Sequence, residues 1–367
     1  MIQPLKYKFL ILLLVLVSFQ SMAQVKFVNE FLNIGVGARS HGMFGSVIAS
    51  TTDGTSGYWN PAGLADMTAP FSVNAMHANW FGGLSNYDYM SITKRLNADK
   101  RAYGSLSVIR MGVDNIPNTF NLVGPDGNIN YDRIELFSAT DYAFLLSYGR
   151  GIGTLNKLSL GGTIKVIHRS IGKFGKAWGF GADFGMKYRL NNKFTLGLNA
   201  KDITTTFNTW AFNFTEEEKT VLSGTGNDIP ISSTETSLPR LVAGIAYQVQ
   251  KKNISILTEL DLNISTNGTK SGVLSSDKFS IDPSLGIEAG YAGKAFLRLG
   301  IGNIQRVLNP ENADRREFDF QPNVGVGISL GRLKIDYALA NVGNVAGALA
   351  SHIFSLSLDF NEKARAQ

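Results

Sequence analysis

From residue 71 the chain is written in segments of about ten residues in which apolar and polar side chains alternate, and no stretch beyond residue 23 approaches the length of a spanning helix. In Gly179–Leu190, Phe180, Ala182, Phe184, Met186, Tyr188 and Leu190 fall on one face. Gly181, Asp183, Gly185, Lys187 and Arg189 fall on the other. Segments 323–330, 333–339 and 352–360 repeat the pattern. A period of two makes strands with one apolar and one polar face. About fourteen such segments can be placed: 71–79, 86–94, 102–113, 140–149, 157–169, 178–190, 194–203, 239–250, 253–264, 280–291, 294–302, 321–330, 332–340 and 351–360. The third is least regular, because Arg110 falls on its apolar parity.

The connections sort by parity. Those after even-numbered segments are short, as at 191–193, 251–252, 292–293 and Gly331. Those after odd-numbered segments are mostly long: 114–139, 204–238, 265–279, 303–320 and 341–350. Short turns at one end and long loops at the other describe an up-and-down membrane barrel. A soluble sandwich has no reason to sort its loops. Aromatics agree: Phe71, Tyr148, Tyr188, Phe194, Tyr247, Tyr291 and Phe360 sit on the apolar face at the short-turn end, where an interfacial girdle belongs. The expected fold is therefore all-β, a membrane-spanning antiparallel barrel of about 14 strands over residues 71–360, with both termini periplasmic and a periplasmic tail at 361–367. The inward face is polar and mixed in sign, carrying Lys165, Asp183, Lys187, Arg189, Glu259, Asp261, Glu288, Arg298, Lys334 and Asp336. Such a lining can pair across itself or with an inserted segment, whereas a strongly selective ion pore would show one sign.

Composition excludes other classes. Charged residues make up 17% of the chain, against about 25% in ordinary soluble domains. The excess of +6 is small and dispersed, so no nucleic-acid partner is expected. There is no Cys, hence no disulfide scaffold or thiolate metal site. Lys6 and Lys8, the apolar run Phe9–Val17 and Ser21-Met22-Ala23 form a signal-peptide pattern over residues 1–23.

Residues 24–70 do not alternate and precede the first strand. They are expected to form a plug in the lumen. Within them, the run from Leu32 through Gly35-Val36-Gly37-Ala38-Arg39-Ser40, Met43 and Gly45, then Asp53 and Tyr58-Trp59-Asn60-Pro61-Ala62, resembles the amino-terminal signature of the PorV/PorQ family. These are outer-membrane barrels of Bacteroidetes related to the FadL-type long-chain fatty-acid transporters. The Asn-Pro-Ala element is shared with the wider FadL superfamily; the Gly-Ala-Arg portion is the more specific one. The motif covers about 35 residues. The resemblance implies a 14-stranded barrel and a role in type IX secretion, with secreted cargo or translocon subunits as partners. Phe44 departs from the pattern, where a small residue, commonly Gly, is expected. The resemblance assigns Gly37, Arg39, Asp53, Asn60, Pro61 and Ala62 as plug-anchoring positions. Charge sign pairs Arg39 with a lumen carboxylate such as Glu259 or Glu288.

No active site, cofactor or metal is expected. None of the four His residues, His41, His77, His168 and His352, has metal-ligand spacing. His168 and Ser170 share one strand face, yet the neighbouring strand offers only apolar groups outward to orient the imidazole. Thr215-Glu-Glu-Glu-Lys219 fits the start of a capped helix and equally a solvated charge run. Three functions stay open: a barrel whose outer-loop aromatics, Trp210, Phe212, Phe214, Phe318 and Phe320 among them, hold a secreted partner; a FadL-like transporter of long-chain fatty acids or other hydrophobic small molecules; and a sealed structural barrel in outer-membrane lipid.

Overall fold

The computed structural model describes residues 28–124, 127–153, 157–266, 274–276, 279–308, 316–340 and 350–360. The expected signal peptide, residues 24–27, the tail 361–367 and most of the connection 341–350 lie outside the described residues, as do 267–273, 277–278 and 309–315.

The alternating segments become strands: β1 (Phe71–Trp80), β2 (Ser85–Asn97), β3 (Ala102–Asn118), β4 (Glu135–Ile152), β5 (Leu158–Ile171), β6 (Gly175–Arg189), β7 (Phe194–Lys201), β8 (Thr206–Phe212), β9 (Thr234–Ser237), β10 (Arg240–Lys251), β11 (Ile254–Ser265), β12 (Leu274–Ser275), β13 (Ser280–Tyr291), β14 (Ala295–Leu308), β15 (Arg316–Leu330), β16 (Leu333–Ala340) and β17 (Ser351–Phe360). Fourteen of them close a ring. β1 to β7 pair in sequence, β7 pairs β10, β10 pairs β11, β11 pairs β13, β13 to β17 follow in order, and β17 returns to β1, all antiparallel. Closure leaves no free edge, which hydrocarbon requires because no water is there to satisfy an unpaired backbone group.

Burial follows the sequence period. On β1, Ser72, Asn74, Met76 and Ala78 are buried, while Ala75, His77 and Asn79 are exposed. Around the ring the exposed face is apolar, with Leu106, Leu146, Ile164, Leu297, Leu299, Val326, Ile328 and Leu356 all outward. Exposing so many large apolar side chains to water would be costly at about 25 cal/mol per Å². A lipid-facing wall removes that cost. Arg110, the residue out of pattern, does face outward. It is matched there by Asp88 on β2 at 3.3 Å, and His77 Nδ1 on β1 lies 2.7 Å from the same carboxylate.

The strands run further at the long-loop end than the pattern indicates, as β3, β4, β14 and β15 show. The connection 204–238 is also more ordered than a loop. β7 stops at Lys201, which leaves the upper half of β6 without a partner. β8 fills that place, from Phe180↔Phe207 to Gly175↔Phe212, and β9 pairs with β8. Between them Thr215 caps the helix Glu216–Gly224. Its hydroxyl accepts from the Glu218 N–H at 3.2 Å, and the Glu218 carboxylate accepts from the Thr215 N–H at 3.0 Å.

Candidate functional site: an inner segment between two cavities

Residues 28–69 run along the inward face of the wall. Nearly all are buried, and their hydrogen bonds reach β2, β4, β5, β6, β7, β11, β13, β15 and β17, so the segment lies inside the ring.

Its most buried turn is Asn60-Pro61-Ala62. Asn60 is extended, and Pro61 opens the 3-10 turn Pro61–Asp66, where a missing N–H and fixed φ suit the first position. The Asn60 side chain caps that turn by accepting from Ala62 N–H at 3.1 Å. Its Nδ2 donates to the Ile48 carbonyl at 2.8 Å and to the Met186 carbonyl of β6 at 3.2 Å. The wall is hollowed to receive it. Gly149, Gly161 and Gly185 are neighbours in register on β4, β5 and β6, and a Cβ on any of them would collide with Asn60, Pro61 or Ala62. A second glycine pair, Gly286 and Gly300 on β13 and β14, receives Met43 and Phe44 in the same way.

The other half of the segment also meets charged groups of the wall. Arg39 Nε lies 2.9 Å from Glu288 on β13, and Arg298 on β14 bridges Glu288 at 2.6 Å and Asp336 at 2.7 Å. Four consecutive backbone N–H groups then donate to two buried carboxylates of β11. Val47 and Ile48 reach Asp261 at 3.0 and 3.2 Å; Ala49 and Ser50 reach Glu259 at 2.5 and 3.1 Å. Neither carboxylate has an ion-pair partner among the described residues. Gly37, with φ of +89°, packs near Thr55, whose N–H donates to Asp53 Oδ1 at 2.8 Å. Thus Asn60, Pro61 and Ala62 share one seat, while Gly37, Arg39 and Asp53 line one small pocket, from which Arg39 also reaches Glu288 of β13.

His41 and Asp66 are among the inner-segment groups with shifted titrations. Burial drives His41 down to about 4, against the opposing pull of the Gly35 carbonyl 3.2 Å from Nε2. Burial works to raise the Asp66 carboxyl, but Lys187, Arg189 and Arg101 together hold it below the usual carboxylate range.

The strap Val47–Ser50 borders two cavities. The one toward the long loops has a volume of about 330 Å³, lined by Phe44, Ile48, Trp59, Trp80, Lys201 and Asp282 among others. The one toward the short turns has about 260 Å³ and takes in Ala49, Ser50, Asp66, Lys187 and Asn192. Aromatic surface with a few placed polar groups is the usual make-up of a small-molecule pocket. Sequence reading did not single out Tyr58, Trp59, Lys201 or Arg240. The signal for Lys201 was present, since it continues the inward parity of Thr195, Gly197 and Asn199.

The expected loop aromatics fall into two groups. Trp210 lies in β8 rather than in a loop and is 6% exposed, with Nε1 donating to Glu235 at 3.0 Å. Phe212 stacks on Trp210 at 5.5 Å and on Phe214 at 6.2 Å, and Phe214 packs on Phe120 and Phe174. Phe318 and Phe320 stand exposed on the extension of β15. His168 stacks on Trp178 at 4.4 Å, and Ser170 donates to the Thr140 carbonyl instead.

No protein-family model and no curated protein sequence matches the chain. Solved structures do. The Pseudomonas putida toluene transporter TodX aligns over 89% of this chain and 98% of its own, at 13% identity and a TM-score of 0.55. The Ralstonia pickettii toluene transporter TbuX covers 89% and 99% at 14% identity and 0.52. A Pseudomonas aeruginosa FadL homologue covers 89% and 98% at 12% identity and 0.50. The protein is a closed 14-stranded antiparallel β-barrel with the architecture of FadL-like outer-membrane barrels.

Proposed function

We propose that this chain spans the outer membrane, with both termini periplasmic, and conducts small hydrophobic molecules across it. Residues 28–69 act as its plug, anchored at Asn60-Pro61-Ala62 and braced by Arg39, Gly37 and Asp53. One observation carries the reading. An aromatic-lined cavity and a second cavity border the strap Val47–Ser50, the first at Ile48 and the second at Ala49 and Ser50, and its four N–H groups bond two carboxyl side chains of β11. A molecule from outside would rest in the first cavity and pass when the strap leaves β11. The fold shared with two toluene transporters and a FadL homologue supports the reading. Reconstituted vesicles should take up a hydrophobic solute such as toluene faster than protein-free vesicles corrected for bilayer leak. Equal rates, with the barrel folded, would refute transport.

Type IX secretion is the second reading. Its support is the amino-terminal motif and the exposed Phe318 and Phe320, which suit a docked protein better than a solvated loop. It predicts that Phe318→Ala with Phe320→Ala abolishes co-purification of secreted or translocon proteins from native membranes. Capture unchanged in that variant would sink it.

A further inference from the structure

The outer cavity is electrically polarised, and this bears on what it takes, given the reading of that cavity as the solute's resting place. On its β7 and β10 side stand Lys201 and Arg240, partners in register. The Lys201 ammonium lies 4.4 Å from the Tyr58 ring centroid and 5.4 Å from that of Trp59. It has no hydrogen-bond acceptor among the described residues; the two rings are its contacts, and Asp183 and Asp202 line a smaller cavity with it. Arg240 is already engaged by Asn33 Oδ1. On the β11 and β13 side, Asn263 and Asp282 face each other in register. Asn263 Oδ1 is buried without a hydrogen-bond partner, and Asp282 has no ion-pair partner among the described residues. Between these ends lie Ile48, Trp59 and Val242. Three strand spacings and a two-residue offset in register separate Lys201 from Asp282, about 16 Å along the wall.

A bare hydrocarbon would leave both ends unsatisfied, and buried polar groups without partners are costly. A fatty carboxylate would answer only the Lys201 end. A ligand with an acceptor at one end, a cation at the other and an apolar middle answers both. We infer that the outer cavity is built for a small zwitterion with an apolar body, of which a short hydrophobic peptide is the simplest example. Its carboxylate sits on Lys201, its ammonium sits on Asp282 beside that residue's register partner Asn263, and its side chains lie against Trp59 and Phe44. An extended tripeptide spans about 10 Å, and the lysine and aspartate side chains close the remaining distance.

The test is calorimetry on the purified full-length barrel with trileucine, its N-acetylated and C-amidated forms, dodecanoate and toluene. Capping either end of the peptide is expected to weaken binding at least tenfold. Lys201→Met should erase the penalty of amidation alone, and Asp282→Asn that of acetylation alone. Both variants are first shown to keep the heat-modifiable gel mobility of a folded barrel. Capped peptides that bind as tightly as the free one overturn the inference. So does dodecanoate or toluene binding more tightly than trileucine and ignoring both variants, although transport of hydrophobic solutes would then stand. A panel in which nothing binds overturns the inference and the transport reading of the cavity together.

Discussion

The two halves of the inner segment both fit glycines of the wall, but they differ in what is added to that fit. At Asn60-Pro61-Ala62 the chain is seated by shape: a row of three wall glycines, neutral hydrogen bonds and complete burial. At Val47–Ser50 a similar close fit, Ile48 and Ala49 against Gly197 of β7, is joined by four N–H donors on two carboxyl side chains of β11 that have no ion-pair partner among the described residues. A shape-based seat cannot be weakened without moving backbone. Hydrogen bonds to the β11 carboxyl groups can be broken and remade while those groups stay in place. We propose the first half as the anchor and the second as the part that opens.

The anchor should be the costlier to break. Gly161→Ala sets a Cβ against the Pro61–Ala62 peptide, and overpacking of this kind costs about 1–3 kcal/mol or prevents seating outright. We expect a large fall in the temperature at which the folded gel band shifts, with protease access to residues near Asn60. An unchanged transition would mean the glycine row is not the seat.

Glu259→Gln with Asp261→Asn comes next. Each hydrogen bond to an ionised carboxylate is worth about 1.5–3 kcal/mol; in Glu259→Gln an amide nitrogen replaces one of two oxygens that each accept a strap N–H, whereas in Asp261→Asn both bonds, which end on Oδ2, keep an acceptor and lose only its charge. The strap amides 47–50 should exchange with deuterium faster while those of residues 62–64 stay protected, and solute flux should rise. Equal exchange in the two regions would erase the distinction between them.

His41 gives a smaller, pH-dependent effect. Its folded value of about 4 lies below the ordinary 6.5 because burial penalises the charged ring. Its contribution to stability is therefore full above 6.5, declines as pH falls toward about 4, and levels off below. His41→Gln should flatten that part of the stability profile between pH 7 and 4; a profile unchanged by the substitution would contradict the burial account.

Phe44 yields the smallest change. Its φ of +52° is left-handed, a region where a non-glycine residue pays about 1 kcal/mol. Its ring lies over Gly302, where a Cβ would meet it. Phe44→Gly relieves the backbone and removes ring packing, so the net stability change should be within about 1 kcal/mol. The outer cavity should widen, with larger solutes admitted in the flux assay.

Much of the barrel was legible because a period of two leaves its mark on every strand, and loop length records which end is which. The wall positions of Lys165, Glu259, Asp261, Glu288 and Arg298 followed from parity alone. Phe44 was visible as an oddity, and the left-handed backbone gives the reason a small residue is expected there. What stayed hidden depends on contacts distant in sequence. β8 is a strand because β7 ends early and β6 needs a partner, which no local pattern announces. Trp210 reads as a loop aromatic but is buried in that added strand. The Val47–Ser50 hold was equally silent, since its donors are backbone groups that any residue carries.

The most direct test of a moving strap on a fixed anchor uses the absence of cysteine. Ser46 Oγ on the strap side lies 2.9 Å from Ser284 Oγ on β13. In Ser46→Cys with Ser284→Cys, oxidation would tie the strap to the wall. Solute flux through reconstituted protein should fall to the protein-free rate when oxidised and recover on reduction. A wall-to-wall control, Thr93→Cys with Ser105→Cys across 2.9 Å, should conduct in both states. Undiminished flux through the oxidised strap pair would contradict the account.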